Sequence, residues 1–218
     1  FDNLNPKKLV EGKFESYYWY KFPDLLIDLD YKINWLHFFI KTKLVKNIKQ
    51  GKRHLEDFSK DKERNTHNFL DEALTFKVLC RALSSWIKLI VRLRKLTSTI
   101  EEKISEDKFA YLWPFLQEDF DKSIFSTNCV QNLIWIEQFD FLLANIPQQK
   151  MGIYLKETQN WEYAFISAWK KHNHGKLIGV VHTPLNFWDL RFFENIDSYK
   201  SHVQPDVIAL GGNLSFER

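Results

Sequence analysis

The sequence predicts an α/β fold: a Rossmann-like parallel sheet flanked by helices, with a helical insertion at about residues 55–145. Three observations predict it. Residues 151–181 read strand, helix, strand in about thirty residues, the length of a βαβ unit with a parallel pair. INWLHFFI at 33–40 is short, β-branched, aromatic and apolar almost throughout, which suits a strand buried on both faces. Between these stretches, apolar residues recur at helical spacing over long runs.

Composition sets the outer bounds. With 44% hydrophobic and 27% charged residues, wholesale disorder is excluded. Nineteen Phe and eight Trp supply ample apolar area for a core, whereas seven Gly leave little for phosphate-cradling loops. A net charge of +3 is far from a nucleic-acid-binding footprint. Cys80 and Cys129 lie far apart with no zinc spacing; two buried thiols in a reducing, cytoplasmic compartment are expected. No apolar run reaches the length of a spanning helix. The start lacks both an initiator Met and a signal-peptide pattern, so a piece of a longer chain is expected.

The elements follow in order. Phe22-Pro23-Asp24 opens a short helix over about 23–30: proline suits the first turn, Asp24 complements the dipole, and Leu25, Leu26 and Leu29 form its stripe. Residues 41–65 are polar and charged, either a long loop or a solvated helix. Residues 66–105 read as helix, because Phe76, Leu79, Leu83, Trp86, Ile87, Ile90 and Leu93 recur at three- and four-residue steps. Lys77, Arg81, Lys88, Arg92 and Lys95 follow helical spacing on a different face, and no acid occurs from Ala73 to Ile100. That face suits peripheral membrane contact through helix 76–96, or a polyanionic glycan; it equally suits a solvated face on a helix whose wide apolar stripe needs a protein core. Residues 109–145 read as two helices, the first capped by Ser105 or Asp107 and the second by Ser126, Thr127 or Asn128, with Pro147 stopping it.

From Lys150 the texture changes. MGIYL (151–155) is a strand. The helix after it carries Trp161, Ala164, Phe165, Ala168 and Trp169 on one stripe, gathers Lys170, Lys171, His172 and His174 at its end, and closes at Gly175. LIGVV (177–181) is the second strand and DVIAL (206–210) the third.

Ligands of open parallel sheets bind beyond the carboxyl ends of the strands. Three polar loops then gather on one edge: Lys156 to Glu162, His182-Thr183-Pro184, and Gly211-Gly212-Asn213. Glu157, between a strand and a helix N-terminus, can take a proton from a hydroxyl or bond it, or else simply cap the helix. Glu162 can join it or pair with a surface lysine. His182, directly after a strand, can act as base or donor. Gln159, Trp161 and Thr183 line the same loops. Trp188, Asp189 and Arg191 in FWDLRFF form either a sugar or anion platform or a core segment with an internal ion pair. His172, His174 and His182 lack an accompanying carboxylate pattern, so no metal is expected. No Walker A, dinucleotide, nucleophile-elbow or zincin motif occurs. Glu157 and Glu162 diverge by about 140° on a helical wheel, against a glycosidase-type opposed pair.

The stretch GIYLKETQNWEYAFISAWKKHNHGKLIGVVHTPLNFWDLRFF, residues 152–193, resembles bacterial surface-carbohydrate biosynthesis proteins of O-antigen and capsule loci. The matching positions include Gly152, Tyr154, Leu155, Glu157, Gln159, Trp161, Glu162, His174, Gly175, His182 and the FWDLR run; Lys156 and Thr158 depart from the family's Gln and Asn. The family looks like glycosyltransferases of the two-domain GT-B architecture. The resemblance implies that residues 1–218 are one acceptor-facing N-terminal domain, with the nucleotide-binding C-terminal domain outside this chain. It implies a nucleotide-sugar donor, a glycan or lipid-linked acceptor and no cofactor; the expected place is the cytoplasm, with the inner face of the cytoplasmic membrane as an option through helix 76–96, and His182 and Glu157, at the strand ends, are the expected catalytic residues. Gln159, Trp161, Glu162, Thr183, Trp188 and Arg191 would shape the substrate cleft. The alternative is a non-catalytic glycan-binding or assembly module.

Overall fold

A computed structural model describes residues 4–60, 65–106, 110–181 and 203–211, excepting the side chains at 95–98, 100, 101 and 105. The fold is α/β with small parallel sheets, containing five strands among the described residues. The chain divides into two compact units, Phe1–Leu74 and Thr75–Arg218.

The first unit is built on a βαβ crossover. Strand β1 (Ile33–His37) pairs in parallel with β2 (Asn65–Phe69), joined through helix α3 (Ile48–Phe58). Helices α1 (Pro6–Val10) and α2 (Phe22–Asp28) precede the sheet. Asn47 starts α3 by accepting the Gln50 N–H at 3.0 Å, so the charged segment 41–65 contains a true helix rather than only loop. Its buried stripe is Gly51, Leu55 and Phe58, and Gly51 is required: a Cβ there would meet the Phe69 ring at 2.8 Å. Leu4, Leu9, Val45, Leu55, Phe58 and Phe69 form the core, with Phe14 and Phe39 against it. Strand β1 is half-buried along most of its length rather than enclosed on both faces.

Residues 65–69 correct the reading of 66–105 as continuous helix. That segment is strand β2, followed by a 3₁₀ turn at Leu70–Ala73; long helix begins only at Phe76.

The second unit opens with three helices: α4 (Phe76–Ser105), α5 (Trp113–Phe125) and α6 (Thr127–Ala144). Thr75 caps α4 by accepting the Val78 N–H, and Ser126 caps α6 by accepting from Asn128. Then come β3 (Met151–Leu155), α7 (Asn160–Lys171), β4 (Lys176–Val180) and β5 (Val207–Ala209), forming one parallel sheet in the order β3-β4-β5. The register runs from Met151↔Lys176 to Leu155↔Val180, as the 151–181 pattern requires.

Helix α7 sits between sheet and helix layer. Phe165 lies 5.7 Å from Tyr154 of β3 and 5.3 Å from Phe139 of α6, ring centre to ring centre. Trp169 is buried and lies where a Cβ on Gly152 would strike its ring at 2.7 Å, so glycine lets helix and strand approach. The helix ends at Lys171, and the left-handed residue that closes it is Asn173 rather than Gly175. Asn173 takes the left-handed conformation (φ 53°), its N–H bonds to the Lys170 carbonyl, and the His174 N–H bonds to the Trp169 carbonyl. Gly175 instead opens the approach to β4. Cys129 is buried as expected, whereas Cys80 is exposed on α4.

Candidate functional site

The carboxyl ends of β3 and β4 hold the described part of the site. Strand β3 runs out through Lys156, whose N–H still bonds to the Val180 carbonyl at 2.8 Å. The chain then turns over Glu157, Thr158 and Gln159 before α7 begins at Asn160.

One carboxylate organises this turn. Oε1 of Glu162 accepts the N–H of Glu157 and the N–H of Gln159, each at 2.8 Å. Those two donors flank Thr158, which is held at φ 58°. A β-branched residue is strained in the left-handed region and stays there only when its surroundings impose it. Here the two bonds to Glu162 impose it, and the Thr158 hydroxyl adds a 2.6 Å bond to the Glu157 carbonyl. The same carboxylate serves the N-terminus of α7, where negative charge complements the dipole.

Glu162 is therefore not paired with a surface lysine: it is 1% exposed, and among the described residues Oε2 has no hydrogen-bond partner. Burial pushes its carboxyl up, opposed by the two main-chain bonds and by the charge of Lys156. Lys156 is itself buried, on the face of β3 that carries Tyr154. A buried lysine at the end of a strand is the one part of the site that sequence reasoning left without a role; its only signal was a charged residue directly following an apolar strand.

The other candidates fall as follows. Glu157 is half-buried beside Lys156, on the turn that Glu162 pins. Gln159 is exposed at the start of α7. Trp161 is half-buried, with Tyr154 at 6.1 Å and Phe139 at 6.3 Å, and so contributes to the core as well as bordering the loop. His182, Thr183, Trp188 and Arg191, with Asp189, lie outside the described residues. Lys156, Glu157 and Glu162 are brought together; Gln159 and Trp161 stand on the same helix start.

The histidines near the end of α7 are committed to structure. His174 Nδ1 accepts the Gln149 N–H at 3.0 Å, so its Nε2–H donates to the Leu143 carbonyl, also at 3.0 Å. His172 Nε2 lies 2.8 Å from Asp140, which Lys171 also contacts at 2.7 Å; these bonds hold the Asp140 carboxyl below its ordinary range despite some burial. No group of three His, Cys, Asp or Glu fit to hold a metal occurs among the described residues.

A second polar cluster, unread in the sequence, lies in the first unit. His37 Nε2 and His67 Nδ1 are 3.0 Å apart, with the rings stacked at 5.3 Å. Trp35 stacks on both, and Phe14 packs edge-on against both. Burial holds His37 down to about 3, helped by any charge on His67, and holds His67 down to about 4. Both rings are thus neutral at physiological pH, and His67 Nε2 is buried with no partner among the described residues. The cluster is a polar seam inside an aromatic core.

Comparison with protein-family models, with curated proteins and with solved structures found no match for this chain.

Proposed function

We propose that this chain is the acceptor-side domain of a nucleotide-sugar-dependent glycosyltransferase in bacterial surface-polysaccharide synthesis. The observation that carries the reading is the pinned turn at Lys156–Gln159. A strained residue is held next to a half-buried carboxylate at the carboxyl end of a parallel strand, where open α/β sheets bind ligands. The likeness of residues 152–193 to surface-carbohydrate biosynthesis proteins gives the reaction class.

In this proposal Glu157 or His182 takes the proton from an acceptor hydroxyl. The freed oxygen pair attacks the anomeric carbon of the donor sugar, and the nucleoside diphosphate leaves with the electrons of the broken bond. Lys156 and the N-terminus of α7 supply positive potential at the same edge. Thr183, Trp188 and Arg191 would complete the acceptor cleft, and a further domain would hold the nucleotide.

The test is transfer from a panel of nucleotide sugars by the complete gene product. Glu157→Gln, which keeps the shape and loses the base, should lower turnover about a hundredfold; His182→Ala should lower it comparably. Unchanged turnover in both variants contradicts the site, and glycan binding without transfer by the complete product favours a binding module instead.

A further inference from the structure

Helix α4 is amphipathic in a way its packing does not use. Its inner face is settled by contacts: Val78 and Ala82 are buried, and the Trp86 indole donates to the Ile124 carbonyl at 3.0 Å. The stripe Phe76, Leu79, Leu83, Ile87 and Val91 lies outside that face. Phe76 is 82% exposed, and the other four are between 42% and 53% exposed. The apolar stripe read from the sequence is divided between two faces: Trp86, Ile90 and Leu93 are half-buried, whereas Phe76, Leu79, Leu83 and Ile87 are exposed. At about 100° per residue the exposed stripe spans roughly 120° and runs for about 22 Å along the helix.

A third face adjoins it. Lys77, Arg81, Lys88 and Arg92 follow the stripe around the helix, and Arg94 closes it at its far end. Only Arg81 has an ion-pair partner among the described residues, Glu137 at 3.9 Å; Lys77, Lys88, Arg92 and Arg94 have none. No acidic residue occurs on α4 before Glu101. An apolar strip bordered by unpaired cations matches a surface with hydrocarbon below and negative charge above. No described helix is apolar enough to cross a membrane, so such a helix lies in the interface.

We propose that α4 docks the Thr75–Arg218 unit onto an anionic lipid bilayer, inserting the stripe from Phe76 to Val91 beneath the headgroups while Lys77, Lys88 and Arg92 meet lipid phosphates. Charge complementarity selects the bilayer over a second copy of the chain, whose same face would oppose like charges. The inference stands on the helix alone and holds whether or not the chain belongs to a transferase.

Sedimentation of the full chain with vesicles tests it. Vesicles of equal parts phosphatidylcholine and phosphatidylglycerol should bind at least about tenfold more tightly than phosphatidylcholine alone, and salt should weaken the binding. Leu83→Ser with Ile87→Ser, and separately Lys88→Glu with Arg92→Glu, should each lower binding about tenfold. Lys43→Glu with Lys49→Glu makes the same net charge change in the other unit and should leave binding unaltered. A nitrobenzoxadiazole label on exposed Cys80, beside the stripe, should shift its emission to the blue on the mixed vesicles; this reading needs no destabilising substitution. Absence of binding, equal loss in the Lys43/Lys49 variant, an unshifted label, or a dimer that Leu83→Ser with Ile87→Ser dissociates would overturn the proposal.

Discussion

Replacing Gly175 with alanine is expected to destabilise the Thr75–Arg218 unit by about 3 kcal/mol or more, the upper range for overpacking a site that cannot give way. A Cβ at 175 would overlap the carbonyl oxygen of Lys150, which is main chain and not a side chain able to swing aside. Neither strand of main chain is free to retreat. The Gly175 N–H donates to the Gln149 carbonyl at 2.7 Å, and the Gly175 carbonyl accepts the Trp169 indole at 2.6 Å. Lys176 N–H bonds to the same Lys150 carbonyl at 3.1 Å, so retreat would break the first rung of the β3–β4 ladder. Gly211→Ala is the control: among the described residues its Cβ would find only the Val181 carbonyl, at 4.0 Å, and it should change stability by less than about 0.5 kcal/mol. Urea unfolding followed by far-ultraviolet circular dichroism measures both. Equal midpoints for the two variants would contradict the packing described between Trp169, Gly175 and Lys150.

The second large effect is acid loss of the Phe1–Leu74 unit. His37 and His67 are held neutral by burial, at about 3 and about 4, whereas unfolded histidine takes a proton near 6.5. Above that unfolded value both states are neutral and the pair is indifferent to pH. As pH falls below it the unfolded chain binds protons that the folded chain refuses, so stability drops. Each histidine contributes a slope of about 1.4 kcal/mol per pH unit, and the drop levels off below the folded values. Between pH 6.5 and about 4 the loss should reach about 3 kcal/mol or more, less than a simple sum because the rings are coupled. His67→Gln should roughly halve the slope. Unfolding free energies across that window decide it; a flat profile in the parent chain would show that the histidines are solvated.

The second half of the fold was legible because its signals are local. MGIYL and LIGVV are compact apolar runs, and Trp161, Ala164, Phe165, Ala168 and Trp169 keep helical spacing between them. The first unit hid its crossover for physical reasons. Strand β2 is NTHNF, polar at four of five positions, because His67 is buried against Trp35 and His37 rather than in hydrocarbon. The buried stripe of α3 begins with Gly51, which contributes closeness to Phe69 rather than apolar surface. Such a helix reads as charged loop.

At the site, sequence located Glu157 at a strand's carboxyl end but gave Glu162 a looser role. A carboxylate three residues into a helix is a capping signal, and here it also bridges back across Thr158. That bridge depends on the left-handed turn, which nothing in Lys156-Glu157-Thr158 announces. Likewise the α4 stripe looked like core because periodicity counts apolar residues and does not say which of two adjacent faces the neighbours will cover.

In the proposed reading, Glu157 and His182 would border one acceptor groove beyond the carboxyl ends of the β3–β4–β5 sheet. The most direct measurement is nuclear Overhauser contact, in the isotope-labelled chain, between the His182 ring protons and the Glu157 side chain. The proposal predicts direct cross-peaks between the two, lost in His182→Ala. Ring contacts of His182 solely to core side chains remote from the turn at Lys156–Gln159 would contradict it.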